Sequence, residues 1–301
     1  MSENTAARDK FRWAILTLIS VSHIIGATAQ YGINTLAPFY QEELGLSRTQ
    51  VGLFFSAFYL AMTGASFGAG WLADRLGIRK TTLQGHVALG ACTVAASMAP
   101  SFAWAFISFF LAGLGYSFLN PASTKGVMVW FDRDERATAM GIKQTGVPAG
   151  GFVVALLAGP LVLVIGWRGA LAALGIINFF FGFVFSSLWR DPEDRNIAAA
   201  TRHPFAPENH GPLNVWSFLP ASCGTAIFLV GQMALITYLP LYLKEAMGFS
   251  AYWASQALAI TQAGAMFGRV GWVRPATGSL SGEEKSFCLS SASWVQCCWW
   301  H

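Results

Sequence analysis

Five ionisable side chains fall inside apolar stretches that are long enough to cross a lipid bilayer. They are His23, His86, Lys125, Lys143 and Arg269, and each is basic or neutral. A charge within a membrane is costly, so an ionisable residue there marks a functional site by default. A cavity lined by positive groups attracts anions. These residue types therefore predict an anion-binding site.

A stripe of polar side chains on the first apolar stretch predicts one wall of that site. His23, Gln30, Tyr31 and Asn34 recur at three- and four-residue spacing, which places them near one face of a helix. Asn120 lies at a similar predicted depth on a later helix. Packing stays an alternative role for His23, and an interhelical hydrogen bond stays an alternative for Asn120.

The two intramembrane lysines have two interpretations each. Lys125 and Lys143 lie six and seven residues from the nearest predicted membrane edge, which is about 10 Å along a helix. A lysine stem can extend most of that distance to water. Each lysine is therefore either an anion ligand, or a snorkelling or ion-paired packing residue.

The elements that position these side chains are helices. Of the 301 residues, 54% are hydrophobic and 11% are charged, against about 25% charged in ordinary globular proteins. Backbone groups in lipid must pair within their own segment, and the apolar runs have the length of a helical span. We expect an all-α membrane protein with about eight transmembrane helices. They are predicted at 12–38, 48–73, 80–99, 102–131, 137–165, 168–189, 214–243 and 250–272.

The distribution of charge predicts the orientation and excludes other classes of protein. With both termini in the cytoplasm, most Lys and Arg residues of the loops fall inside, as membrane proteins prefer. The basic residues do not cluster on one face, so no nucleic-acid partner is expected. The sequence also shows no nucleophile–base set and no Cys/His cluster. We therefore expect neither an enzyme nor a metal or other cofactor.

A short loop after the second predicted helix carries a motif. The segment 70–80 reads GWLADRLGIRK, and its key residues are Gly70, Asp74, Arg75, Gly77, Arg79 and Lys80. It resembles the signature of the major facilitator superfamily, at the place where that family has it. The resemblance implies a conformational latch on the cytoplasmic side, with Arg136 as a partner of Asp74. Gly70 is expected to admit a closely packed helix and Gly77 a tight turn. A simple turn with positive-inside charges is the alternative.

The resemblance also implies a domain organisation. A cytoplasmic tail (1–11) precedes a six-helix bundle (12–189), a cytoplasmic linker (190–213) and the first two helices of a second bundle (214–272). Residues 273–301 form a polar tail that departs from the family pattern. We expect a chain shortened from twelve helices, either by a frameshift near residue 273 or as a genuine short variant.

Together these observations predict a secondary transporter of a small solute. The expected substrate is a small organic anion, moved by alternating access across the inner or plasma membrane. A coupling proton is possible, as in a symporter, because His23 can titrate near neutral pH. Two alternatives stay open: a truncated fragment or gene-model artefact that transports nothing, and an exporter of neutral or cationic drugs.

Overall fold

The computed structural model describes residues 2–190 and 215–276, and within these it is helical, with no strand. The chain begins with a long helix and a short one, α1 and α2. It ends with two helices that follow the undescribed segment, α7 and α8. The bounds are α1 Ser2–Thr35, α2 Ala37–Glu43, α3 Arg48–Ser97, α4 Phe102–Ser117, α5 Leu119–Trp130, α6 Arg133–Leu188, α7 Val215–Glu245 and α8 Ala251–Ala276.

Four described helical segments are long and apolar enough to cross a membrane. They are Phe11–Thr35, Arg48–Ser97, Phe102–Trp130 and Thr138–Leu188. Two of them have 50 and 51 residues, although about 20 suffice for one crossing. These two segments coincide with pairs of helices predicted from the sequence. The number of spans stays a prediction.

Two glycines interrupt the long helices α3 and α6. Gly77 has a φ of 80° and Gly166 a φ of 69°, in the left-handed region that glycine adopts without a steric penalty. Each glycine reverses its helix, since one neighbouring helix packs against both halves: α4 against those of α3, and α1 against those of α6. The tight turn expected at Gly77 is present.

The predicted helix 102–131 is two helices in the structure. α4 ends at Ser117 and α5 begins at Leu119, just before Asn120 and Pro121. Proline lacks an N–H and clashes with the preceding turn, so a bend beside it is expected. Similarly, the first predicted helix ends at Thr35 rather than residue 38, and α2 follows with Pro38 in its first turn. At the other end of the chain, α8 extends past the predicted end at 272 to Ala276.

Glycines allow the helices to pack with their backbones in close contact. A Cβ on Gly113 of α4 would lie 2.2 Å from the Phe58 carbonyl oxygen of α3. A Cβ on Gly90 of α3 would lie 2.4 Å from the Phe179 nitrogen of α6. Between α1 and α6, a Cβ on Gly150 would lie 2.3 Å from the Ile24 carbonyl oxygen. Close approach of this kind is the usual way in which helices associate inside lipid.

Charged side chains lie at the two ends of the bundle. The residues predicted to face the outside of the cell share one end, and those predicted to face the cytoplasm share the other. Glu43 bonds Trp167 and Arg168, while Lys244 bonds Glu42 at 2.8 Å, so these predicted outside groups share one end. The Lys244 ammonium holds the pKa of the Glu42 carboxyl below its ordinary value, through their hydrogen bond. The other end carries the predicted inside groups, including the Arg12–Glu135 pair. Which end faces the cytoplasm stays a prediction.

Candidate functional site

The centre of the candidate site is the Lys143 ammonium. Lys143 lies on the first half of α6 and is 1% exposed. Its Nζ donates to Asn120 Oδ1 at 2.9 Å and to Thr124 Oγ1 at 2.7 Å, both on α5. Neither acceptor carries a charge, and the ion pairs of the described residues do not include Lys143. The structure therefore excludes snorkelling for this residue and shows a buried cation with neutral partners.

His23 of α1 belongs to the same layer. Its Nε2 lies 2.7 Å from Ser123 Oγ, and Ser123 directly precedes the Thr124 that binds Lys143. Gly146 brings α1 against α6 at this level, since a Cβ there would lie 2.9 Å from His23 Cβ. The ring nitrogen Nδ1 of His23 is buried and has no partner among the described residues. We call His23, Asn120, Ser123, Thr124 and Lys143 the basic cluster.

The other predicted residues of α1 form a second polar layer farther along the helix. Gln30 Nε2 donates to the Tyr59 hydroxyl of α3, and the Gln30 Oε1 atom has no partner. Asn34 is buried and its Nδ2 also has no partner in the described part of the chain. Tyr31 is buried beside Val154 and Leu258 in an apolar cluster. We call Gln30 and Asn34 the amide layer. The predicted stripe is thus divided between the basic cluster, which contains His23, and the amide layer.

Lys125 is not in the basic cluster. Its Nζ lies 2.9 Å from Asp74 Oδ1 and 3.2 Å from the Ala73 carbonyl oxygen, at the end of the first half of α3. It is the ion-paired alternative that the sequence left open. The structure therefore gives Asp74 a different partner from the Arg136 that the family resemblance implied. Arg136 donates instead to the carbonyls of Met128 and Phe131, where it caps the end of α5.

The remaining motif residues lie at the same end of the bundle. The Arg75 guanidinium lies 4.2 Å from the centre of the Trp71 ring, and Arg79 donates to the Ser186 hydroxyl of α6. Lys80 is exposed. The close helix contact expected at Gly70 is absent from the described residues, because an added Cβ there meets no atom within 4 Å. The reason is that Gly70 lies beside the outward-facing Phe67 and Trp71.

One buried polar network was not predicted from the sequence. His86 of α3 is fully buried, its Nε2 lies 2.8 Å from Ser22 Oγ, and its Nδ1 lies 3.2 Å from Asn178 Oδ1. Asn178 of α6 in turn donates to the Ile25 carbonyl of α1. This network joins three helices, so the contacts of His86 indicate a packing role rather than a place in the predicted anion site. The side chain of Arg269 lies outside the described residues.

A separate groove lies on the outer side of α3 and α4. Its lining is largely apolar and includes Leu53, Leu60 and Phe106, together with Tyr59. None of the predicted site residues lines it, although Tyr59 bonds Gln30 from the other side. Among the described residues no group of three potential metal ligands occurs. The candidate ligand-binding groups of the described bundle are therefore those of the basic cluster and the amide layer.

The Asp74–Lys125 pair gives a first prediction. Asp74→Asn should leave the chain inserted and folded and should cost less than about 1 kcal/mol, because the carboxylate is 68% exposed and such pairs are weak. A double-mutant cycle of thermal unfolding, with Lys125→Gln as the second change, should show a coupling of about 0.5 kcal/mol.

Arg136→Gln is the matched control for that cycle. Its effect should add to that of Asp74→Asn without coupling, since Arg136 bonds backbone carbonyls instead. A stronger coupling of Asp74 to Arg136 than to Lys125 would contradict the observed pairing.

The glycine-packed helices and the buried cation together indicate the class of protein. The described chain is a multi-span α-helical membrane protein with a polar, positively charged interior, the class that includes membrane transporters. The chain belongs to the Major Facilitator Superfamily, because the model of that family matches residues 19–289. The match extends into residues 273–301, the segment expected to depart from the family pattern. It confirms the expected family and all-α membrane fold, and the expectation that the protein is not an enzyme.

Curated relatives of this chain are transporters. The "Probable sulfoacetate transporter SauU" of Cupriavidus necator is 28% identical over 80% of this chain and 59% of its own length. The "Hexuronate transporter" of Bacillus subtilis is 24% identical over the same two shares. The "Probable L-galactonate transporter" of Escherichia coli is 30% identical over 53% of this chain and 35% of its own length. This chain thus spans about three fifths of the length of the first two.

A solved structure has the same fold. It is a bacterial homologue of the human lysosomal transporter Spinster, in an inward-facing and unoccupied conformation. The TM-score is 0.73 at 20% identity, over 86% of this chain and 61% of that chain. At this identity the likeness shows the fold alone.

Proposed function

We propose that this chain serves the secondary transport of a small organic anion across the cell membrane, by alternating access. The single observation that carries the proposal is the Lys143 ammonium, which is buried against neutral acceptors and has no counter-ion in the described structure. A buried charge without a partner is expensive. A bound carboxylate or sulfonate would supply the missing negative charge.

The position of Lys143 supports this role over a purely structural one. Asn120, one of its two acceptors, is exposed, so the layer is open on the α5 side. A small anion can therefore reach the ammonium by displacing the Asn120 amide. Lys125, by contrast, already has a carboxylate partner and serves the motif.

The names of the relatives support an anionic substrate. Sulfoacetate, hexuronate and L-galactonate each carry an acidic group, and the transporters named for them match this chain. A cationic substrate would meet only positive charge at the basic cluster.

Two sets of contacts at opposite ends are suited to alternating access. At one end Asp74 of the motif forms an ion pair with Lys125 of α5. At the other end α7 is held to α2 and α3 by Lys244–Glu42 and by Arg48–Glu245. In the proposed cycle these ends open in turn, with the motif end at the cytoplasm and both chain termini inside. Exposed ion pairs suit such gates because each contributes little energy and is readily broken.

A coupled proton has a candidate carrier in His23. The His23 ring bonds Ser123 of α5, the residue before the Thr124 that accepts from Lys143, and the Nδ1 atom of the ring has no described partner. A proton taken up there would add positive charge beside a bound anion and strengthen its binding. Proton and anion would then move together, as in a symporter.

Ligand binding by the purified chain tests this function. In lipid nanodiscs, butyrate should raise the unfolding temperature, and butylammonium and butanol of the same skeleton should not. Binding to the folded state stabilises it by about 2.7 kcal/mol at a hundred times the dissociation constant, which raises the midpoint by a few degrees. An equal or larger shift with butylammonium would refute the anion proposal.

A further inference from the structure

Three buried amide side chains each end in a polar atom that has no partner among the described residues. The atoms are the Gln30 Oε1, the Asn34 Nδ2 and the Gln262 Nε2. Their residues are 5%, 2% and 2% exposed. Nearly all buried polar groups in proteins are hydrogen-bonded, so three orphaned amides require an explanation.

All three amides lie near Tyr31 of α1. Gln30 and Asn34 are one turn apart on the same face of α1. Gln262 comes from α8 and reaches across α6 at Gly151. A Cβ on Gly151 would lie 2.7 Å from the Gln262 Nε2 and 3.1 Å from the Tyr31 ring, so the amide of α8 lies beside the α1 residue between Gln30 and Asn34.

The chemistry of the orphaned atoms matches hydroxyl groups. Together they offer two amide NH2 groups as donors and one carbonyl acceptor, and none of them carries a charge. A hydroxyl both donates and accepts, so vicinal hydroxyls satisfy such a mixed set. A carboxylate only accepts hydrogen bonds and prefers a cation. The amide layer is thus suited to the uncharged, hydroxylated part of a ligand.

The spacing of the two layers fits one small molecule. His23 and Gln30 are seven residues apart on α1, which is about 10 Å along the helix axis. A four-carbon chain that is hydrogen-bonded at both ends covers about this distance, since each bond adds about 2.8 Å. One ligand can therefore contact the basic cluster and the amide layer together.

We infer that Gln262, with Gln30 and Asn34, forms a subsite for the hydroxyl groups of the transported anion, so that the site selects hydroxylated carboxylates over plain ones. The inference rests on the proposed function, because Lys143 holds the carboxylate. It adds a residue of α8 that no pattern in the sequence indicated.

Calorimetric titration of the 301-residue chain in nanodiscs tests the inference with three four-carbon ligands. Threonate has a carboxylate and hydroxyls, butyrate has only the carboxylate, and threitol has only hydroxyls. Threonate should bind at least about tenfold more tightly than either of the others, since a site built for hydroxyls rejects analogues that lack them. Gln262→Leu should remove about tenfold of threonate affinity and leave butyrate affinity unchanged.

The unfolding temperature of the ligand-free chain separates a binding role from a structural one. Gln262→Leu removes an unpaired buried donor, so the variant should be at least as stable as the parent. Gly151→Ala places a methyl group against the Gln262 amide and should also weaken threonate binding selectively. The matched control is Gly64→Ala, whose Cβ meets no described atom within 4 Å and which should bind threonate like the parent.

The possible failures are distinguishable. If the parent binds butyrate and threonate equally, or if Gln262→Leu weakens both to the same extent, the hydroxyl subsite is refuted and the anion site stands. A less stable Gln262→Leu variant with unchanged selectivity would make the amide structural and also refute the subsite. If the parent binds neither anion, the proposed function and this inference fail together.

Discussion

Lys143→Met is expected to reduce the binding of butyrate and threonate at least about a hundredfold. The ammonium is the only cation that the described structure buries without a carboxylate partner, so an anion bound there would lose its counter-charge. Removing one partner of a buried charge pair costs about 3–5 kcal/mol, and each 1.4 kcal/mol is a factor of ten. Methionine keeps the length and the apolar stem of lysine, which limits the cavity that the change creates.

The stability of the same variant distinguishes a ligand from a packing residue. Lys143 bonds only two neutral oxygens, so its removal from the empty site should leave the unfolding temperature unchanged or raise it. Lys125→Met is the matched control, because that ammonium already pairs with Asp74 at the bundle end. The control should retain anion binding within about threefold of the parent. If Lys143→Met binds both anions like the parent, the basic cluster is structural.

Gly113→Ala is expected to disrupt the folded bundle. The added methyl group would lie 2.2 Å from the Phe58 carbonyl oxygen and within 3.0 Å of two further backbone atoms of that residue. A backbone cannot move aside as a flexible side chain can, so α3 and α4 must separate. Overpacking usually costs about 1–3 kcal/mol, and a contact with backbone should cost at least the upper value. That is a large share of the total stability of a typical protein.

The measurement is the unfolding temperature of purified Gly113→Ala, together with the folded yield on size exclusion. The matched control is Gly68→Ala in the first half of α3, where a Cβ meets no described atom within 4 Å. Alanine is the better helix former by about 1 kcal/mol in water, so the control should be as stable as the parent or more so. Equal midpoints for the two variants would show that α3 and α4 are not packed as described.

Much of the fold could be read from the sequence, because helix formation in a membrane is a local matter. A run of apolar residues must satisfy its own backbone hydrogen bonds, so its length alone predicts a helix. The glycine that reverses α3 could be recognised in the motif, since Gly77 stands two residues before the basic pair Arg79 and Lys80. The positions of the helix breaks at Phe118 and after Thr35 were predicted less exactly, because a proline indicates a bend but does not determine the residue at which the bend occurs.

The candidate site was only partly predictable. The stripe from His23 to Asn34 followed from helical spacing, and the absence of acidic residues from the apolar stretches indicated the sign of the charge. The partners of these residues did not follow, since Ser123 and Thr124 are ordinary polar residues in a helix. Gln262 has no polar residue three or four positions away on its helix to indicate a polar face, and its significance comes from Gly151 on another helix.

The sequence by itself therefore determined the class of protein, the apolar helices and the types of charge that lie between them. Tertiary structure alone decided what those charges do. Lys125 and Lys143 are the same residue type at nearly the same predicted depth, yet one is paired with Asp74 and the other is buried among neutral oxygens. The physical reason is that depth depends on position along one helix, whereas a partner depends on which faces of several helices meet, and that is set by packing.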